Sequence, residues 1–225
     1  MIQSVFDRVT RARIVPVVEI PAVDMAVPLA QALAEAGLDV VEVTLRTPEA
    51  LDAIRAIHQA LPEVIVGAGS LLNGEQVAQA ADAGAAFGVS PGFSPHLSNA
   101  AASLGIALIP GVATASEVLG AIDHGHTYLK FFPAELLGGI GMLKAWSAPF
   151  VTAGVNFMPT GGVTIHNAVD YLALANVFAV GGTWIAPRSQ IEAGNFDKIS
   201  FSAREVVKVV TLRREHEIDV NKGRS

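Results

Sequence analysis

The 225-residue chain contains no cysteine, which excludes disulfides, thiolate nucleophiles and Cys-ligated metals together. It is also short of positive charge: 15 Lys and Arg stand against 21 Asp and Glu, a net charge of -6. Nucleic acids and anionic membranes attract basic surfaces, so neither is an expected partner. Long apolar runs are missing as well. Two stretches, 83–116 and 145–169, hold no Asp, Glu, Lys or Arg, but Gly, Pro, Ser and Asn divide both. A membrane helix needs about 20 mostly apolar residues in a row, so these read as buried strands and polar turns. The first 13 residues carry Asp7, Arg8, Arg11 and Arg13 and lack the apolar core of a signal peptide. The expected setting is the cytoplasm.

What is present is alternation. Short β-branched runs at 14–18, 40–45, 64–68, 87–89, 107–109, 128–132, 155–158 and 177–180 are separated by alanine-rich segments with apolar residues at helical spacing. Gly37, Gly84, Gly105 and Gly125 each end a helical segment, where a left-handed cap is wanted. Alternating strands and helices imply right-handed crossovers and a parallel sheet with helices outside. Eight units in succession favour an α/β single-domain (β/α)8 TIM barrel over an open doubly wound sheet, the alternative fold. The barrel is expected over about 14–203, with a final helix from about Arg204 and a frayed tail at 221–225.

In such a barrel, function sits in loops at the C-terminal strand ends. Of five lysines, only Lys130 falls within an expected strand. Strand side chains alternate, so Lys130 shares a face with Tyr128 and Phe132, while Leu129 and Phe131 face the helices. A lysine inside a barrel reads as a Schiff-base nucleophile or as a structural partner of a buried carboxylate. On the second strand, alternation puts Glu42, Thr44 and Arg46 on the inner side. Glu42 can move protons, and Arg46 can grip a carboxylate bidentately and favour a free amine at Lys130. A plain Glu–Arg–Lys charge network is the alternative.

Two glycine pairs follow the last two strands: Thr160-Gly161-Gly162 and Gly181-Gly182-Thr183. Loops at these positions often bind phosphate through backbone N–H groups, with the two threonine hydroxyls as extra donors. The segment Gly67-Ala68-Gly69-Ser70 offers a second donor-lined pocket, suited to a carboxylate. His124-Gly125-His126 lies in a helix-to-strand turn at the opposite face, so no metal site is expected. His58, His96, His166 and His216 read as surface residues.

These motifs resemble the 2-keto-3-deoxy-6-phosphogluconate (KDPG) aldolase and 4-hydroxy-2-oxoglutarate (KHG) aldolase family. The likeness runs from about Ile14 to Gly194 through Glu42-Val-Thr-Leu-Arg46-Thr, Val66-Gly-Ala-Gly69, Ser90-Pro91-Gly92, Lys130-Phe-Phe-Pro-Ala134 and Pro159-Thr160-Gly161-Gly162. The resemblance implies a cofactor-free class I aldolase that splits a phosphorylated 2-keto acid into pyruvate and glyceraldehyde 3-phosphate in the Entner–Doudoroff pathway. It implies a homotrimer. It gives Lys130 the Schiff base and Glu42 the proton transfers. Arg46, Gly69, Ser70 and Pro91 then serve the substrate carboxylate, and Thr160, Gly161, Gly162, Gly182 and Thr183 the phosphate.

Three positions depart from the family pattern. Ser70 replaces a usual threonine, Leu136-Leu137 replaces Ala-Asn, and Glu19 stands where an aliphatic residue is common. Rival readings are a phosphate-binding barrel without a covalent lysine, a metal-dependent pyruvate aldolase, and a non-catalytic sugar-acid-phosphate binder.

Overall fold

The computed structural model describes residues 2–222, with side chains described through residue 211. Its core is a curled parallel sheet wrapped by helices. The strands are β1 (Ile14–Val18), β2 (Val40–Thr44), β3 (Ile65–Gly69), β4 (Phe87–Val89), β5 (Ala107–Ile109), β6 (Gly111–Val112), β7 (Tyr128–Phe131), β8 (Asn156–Pro159) and β9 (Val180–Gly182). They form a six-stranded sheet in the order β5-β4-β3-β2-β1-β9 and a three-stranded sheet, β6-β7-β8.

The expectation of eight unbroken strands is therefore corrected. The fifth run is interrupted at Pro110, which has no N–H to give to a ladder. Its carbonyl still accepts from Lys130 N at 2.9 Å. So β5 pairs with β4, and β6 pairs with β7. The expected strand at 177–180 is regular only from Val180, preceded by a parallel bridge between Phe157 and Val177. A second bridge joins Thr160 to Gly181.

Two layers of core follow from alternation. Residues such as Val43, Val66, Leu129 and Phe131 pack outward against the helices, and the Phe131 ring meets Trp146 edge-on at 5.2 Å. Val15, Val40, Ile65, Phe87, Ile109 and Met158 fill the inside. Gly67 makes room there, since a Cβ would lie 2.3 Å from the Phe87 ring.

One element was not anticipated. Residues Ile2–Ala12 form a helix whose Val5, Phe6 and Val9 are buried in the inner core. Phe6 stacks on Tyr128 at 4.3 Å, and Tyr128 meets Phe178 edge-on at 5.0 Å. Each buried apolar side chain contributes roughly 1.5–3 kcal/mol, so this helix closes the N-terminal end firmly. Chemistry is left to the other end. The last helix, Phe196–Lys222, begins eight residues before the expected Arg204 and takes in residues 221 and 222 of the expected frayed tail; 223–225 lie outside the described residues.

Candidate active site

Register brings the polar residues to one level. Val17 on β1 pairs with Glu42 on β2, and Glu42 pairs with Gly67 on β3. On the other side, Gly111 pairs with Lys130, and Lys130 with Met158. Glu42 and Lys130 are 0% and 5% exposed. Both line a cavity of about 250 Å³ at the C-terminal strand ends, together with Arg46, Thr160, Gly161, Gly162, Gly182 and Thr183. Val17, Phe132 and Val163 complete the lining.

The Lys130 amine lies 4.8 Å from the centroid of the Phe132 ring. Glu42 is the most deeply buried polar residue of the cavity lining. Both of its oxygens are buried without a hydrogen-bond partner, and burial pushes its carboxyl pKa upward. Lys130 and Arg46 pull in the opposite direction but do not overcome the desolvation. Burial therefore shifts this group toward its protonated form, the one able to donate a proton.

Arg46 is half exposed at the rim, where its Nε donates to Ser70 Oγ at 3.1 Å and its Nη1 donates to Glu19 Oε1 at 2.9 Å. Ser70 adopts a left-handed φ of 61°, which turns its hydroxyl toward the arginine side of the mouth. Gly69 is buried against Glu42. Pro91 lies away from the cavity lining, exposed, with its carbonyl oxygen packed against Gly111.

The glycine loops are shaped by close approaches. Gly161 and Gly162 have φ of 90° and 86°, and a Cβ on Gly162 would lie 2.4 Å from Glu135 Cγ. A Cβ on Gly182 would enter the Trp184 ring at 1.7 Å. The Thr160 hydroxyl is turned to its own strand, donating to Met158 O at 3.4 Å beside Gly181, whereas Thr183 is exposed at the mouth. Of the two expected hydroxyl donors, Thr183 faces solvent and Thr160 is spent locally.

Beneath the first loop, Glu135 N donates to Gly161 O at 3.1 Å and the Glu135 carboxylate accepts from Tyr171 Oη. Burial and that carboxylate push the Tyr171 phenol pKa upward. The expected metal-free turn has its own engagements: His126 Nε2 and Ser98 Oγ are 2.7 Å apart, and His124 Nδ1 lies 2.9 Å from Gly120 O. His58, His96 and His166 are exposed, and the side chain of His216 lies outside the described residues.

Residues 5–201 match the family profile described as KDPG and KHG aldolase. The chain belongs to this family. The KHG/KDPG aldolase of Escherichia coli K12 is 47% identical over 203 residues, covering 90% of this chain and 94% of that protein. Among solved structures, the Legionella pneumophila KDPG aldolase, with pyruvate captured at low pH as a covalent carbinolamine, is 40% identical at a TM-score of 0.86. That match covers 92% of this chain and 98% of the other. The Zymomonas mobilis ZM4 enzyme with 3-phosphoglycerate is 41% identical at a TM-score of 0.82, covering 90% and 94%.

Sequence reasoning missed three contributors to this aldolase-family site. Val17 could have been found by alternation along β1. Glu135 stands inside the Lys130–Ala134 motif's next position, but nothing local announces that it carries the Gly161-Gly162 loop. Arg188 reaches Glu19 across 169 positions of sequence, which no local pattern reveals.

Proposed function

We propose that the chain is a class I aldolase that cleaves KDPG to pyruvate and D-glyceraldehyde 3-phosphate, and KHG to pyruvate and glyoxylate. The observation that carries this reading is the burial of Lys130 and Glu42 in one cavity whose far wall is the Gly161-Gly162 and Gly182-Thr183 loops. A buried carboxyl group with both oxygens unpaired is costly in a merely structural network. It is apt for a residue that must exchange protons with a substrate.

The chemistry follows from these groups. The Lys130 amine attacks the C2 ketone and forms a carbinolamine. Glu42 gives a proton to the departing hydroxyl, so water leaves and an iminium remains. Glu42, now a carboxylate, takes the C4 hydroxyl proton directly or through a water. The C3–C4 bond breaks, its electron pair moves toward the iminium nitrogen, and the aldehyde departs. The resulting enamine is protonated at C3, and hydrolysis of the iminium returns pyruvate and the lysine. The Phe132 ring face beside Nζ favours a cation at that nitrogen, which the iminium becomes. Arg46 and the Gly69-Ser70 turn orient the carboxylate, and the Thr160-Gly161-Gly162 and Gly182-Thr183 loops receive the phosphate through backbone N–H groups and the Thr183 hydroxyl.

Residues 14–203 form, in this reading, one closed (β/α)8 barrel domain. The Lys130 N to Pro110 O bond and the bridges from Phe157 to Val177 and Thr160 to Gly181 join the edges of the two sheets. A homotrimer in the cytoplasm, serving the Entner–Doudoroff pathway, rests on the family. No described helix is long and apolar enough to cross a membrane.

Borohydride reduction in the presence of pyruvate, followed by peptide mass spectrometry, tests the assignment. The expected adduct is on Lys130. An unmodified Lys130 in active protein refutes it.

A further inference from the structure

The rim of the cavity carries a chain of charges that runs from Arg46 to Glu19, Arg188 and Glu192, the last three being residues the proposed chemistry does not use. Glu19 is the first residue beyond β1 and is 23% exposed in its side chain. Its Oε1 accepts from Arg46 Nη1 at 2.9 Å, and its Oε2 accepts from Arg188 Nη1 at 3.3 Å. Arg188 opens the short helix Arg188–Glu192 and also donates through Nε to Glu192 Oε1 at 2.7 Å. Ser70 holds the other end through Arg46 Nε. The order Ser70, Arg46, Glu19, Arg188, Glu192 thus crosses the mouth from the β3 loop to the segment after β9, with charges that alternate in sign.

We infer that Glu19 holds the place of the substrate carboxylate on Arg46, and that Arg188 keeps Glu19 when the substrate takes that place. The inference rests on the reading of Arg46 as the carboxylate ligand. A guanidinium grips a carboxylate best through two parallel N–H groups. With Nε on Ser70 and Nη1 on Glu19, an incoming carboxylate gains a two-point grip by taking Nη1 from Glu19. Glu19 then loses one contact but stays paired, because its second oxygen is already on Arg188. Ion pairs at half-exposed positions are weak, so the exchange is nearly balanced.

The consequence is a binding threshold that every carboxylate must meet. A tethered carboxylate competes at high effective concentration with any free anion. An anion that offers only its charge must displace Glu19 unaided. A 2-keto acid also gains the bond to Lys130, so it alone has a second source of binding. Glu19 and Arg188 are therefore positioning residues for Arg46, and together they set how tightly the site holds any carboxylate.

The test uses the whole chain and two readings: steady-state cleavage of KDPG, and competitive inhibition by lactate, a carboxylate without a ketone. Glu19→Gln is expected to lower both the KM for KDPG and the lactate inhibition constant by about 2- to 5-fold, the fold-change of one surface ion pair. Arg188→Gln is expected to raise both by about the same factor, because Glu19 then rests on Arg46 alone. In both variants kcat stays at the wild-type value. The double variant is expected to match Glu19→Gln, since Arg188 acts only through Glu19. A raised KM in Glu19→Gln overturns the inference, as does an Arg188→Gln effect that persists in the double variant. Wild-type protein that releases no pyruvate from KDPG overturns the aldolase reading and this inference with it; active wild type with unmoved variants overturns the inference alone.

Discussion

The space that a Cβ on Gly69 would fill belongs to Glu42, whose Oε1 lies 2.1 Å from that position and whose Cδ lies at 2.8 Å. The two residues sit on neighbouring strands, with Thr44 as the register partner of Gly69. The missing side chain on β3 is thus what allows a buried carboxyl on β2 to face the cavity. Gly69→Ala is expected to fold, since its φ is not in the left-handed region, but to push Glu42 aside. A misplacement of about 1 Å costs on the order of 100-fold in rate. Steady-state kinetics should show that loss in kcat, and a crystal structure of the variant should show the carboxyl displaced.

Glu42→Gln separates the cost of burial from the benefit to chemistry. Burial raises the Glu42 pKa above its ordinary value of 4.5, so the folded protein holds the proton more tightly than the unfolded chain. Stability from this group is complete below that ordinary value and is lost as pH rises through the higher folded value. Glutamine has no such proton. Denaturation followed upward from pH 4.5 should show the variant gaining on wild type, by up to about 1.4 kcal/mol per pH unit, until the folded carboxyl has lost its proton, and running parallel to it thereafter. Turnover should fall by about 100-fold or more, as for a lost general acid.

Gly162→Ala tests the phosphate loop. Its φ of 86° and the Glu135 atom 2.4 Å from the new Cβ both force the loop to move. A lost hydrogen bond to a charged group is worth about 1.5–3 kcal/mol. The KM for KDPG should therefore rise by about 10-fold or more, while that for the unphosphorylated keto acid stays near its original value. Equal effects on both substrates would place the phosphate elsewhere.

Phe6→Ala addresses the closed end. The ring is buried and stacked on Tyr128, so its removal should cost about 3–5 kcal/mol in urea denaturation. Lys130 is two residues along the same strand from Tyr128, yet kcat below the unfolding transition should be unchanged if the inner core only supports the site.

Much of the site was legible because a strand has a period of two. That rule alone turned Lys130 and Glu42 inward and sent Leu129, Phe131 and Val43 to the helices, as the two cores have them. The glycine pairs were legible because left-handed backbone at Gly161 and Gly162 demands the residue. The N-terminal helix was not, because its amphipathic face has meaning only once there is an open end to cover. The break at Pro110 is visible as a proline, but the exchange of partners around it depends on which strands flank it. Pro91 was placed at the site by its motif; its backbone instead packs on Gly111.

By itself, the sequence determined the alternation of strand and helix, the inward face of each strand and the family to which the chain belongs. These are local properties, set by periodicity and by residues whose backbone preferences allow few alternatives. Only the tertiary structure decided that Gly69 yields its space to Glu42, that Glu135 underlies the Gly161-Gly162 loop, and that Glu19 ties Arg46 to Arg188. Such contacts join residues far apart in the chain, and they exist only after the sheet has curled and brought the strand ends to a common rim.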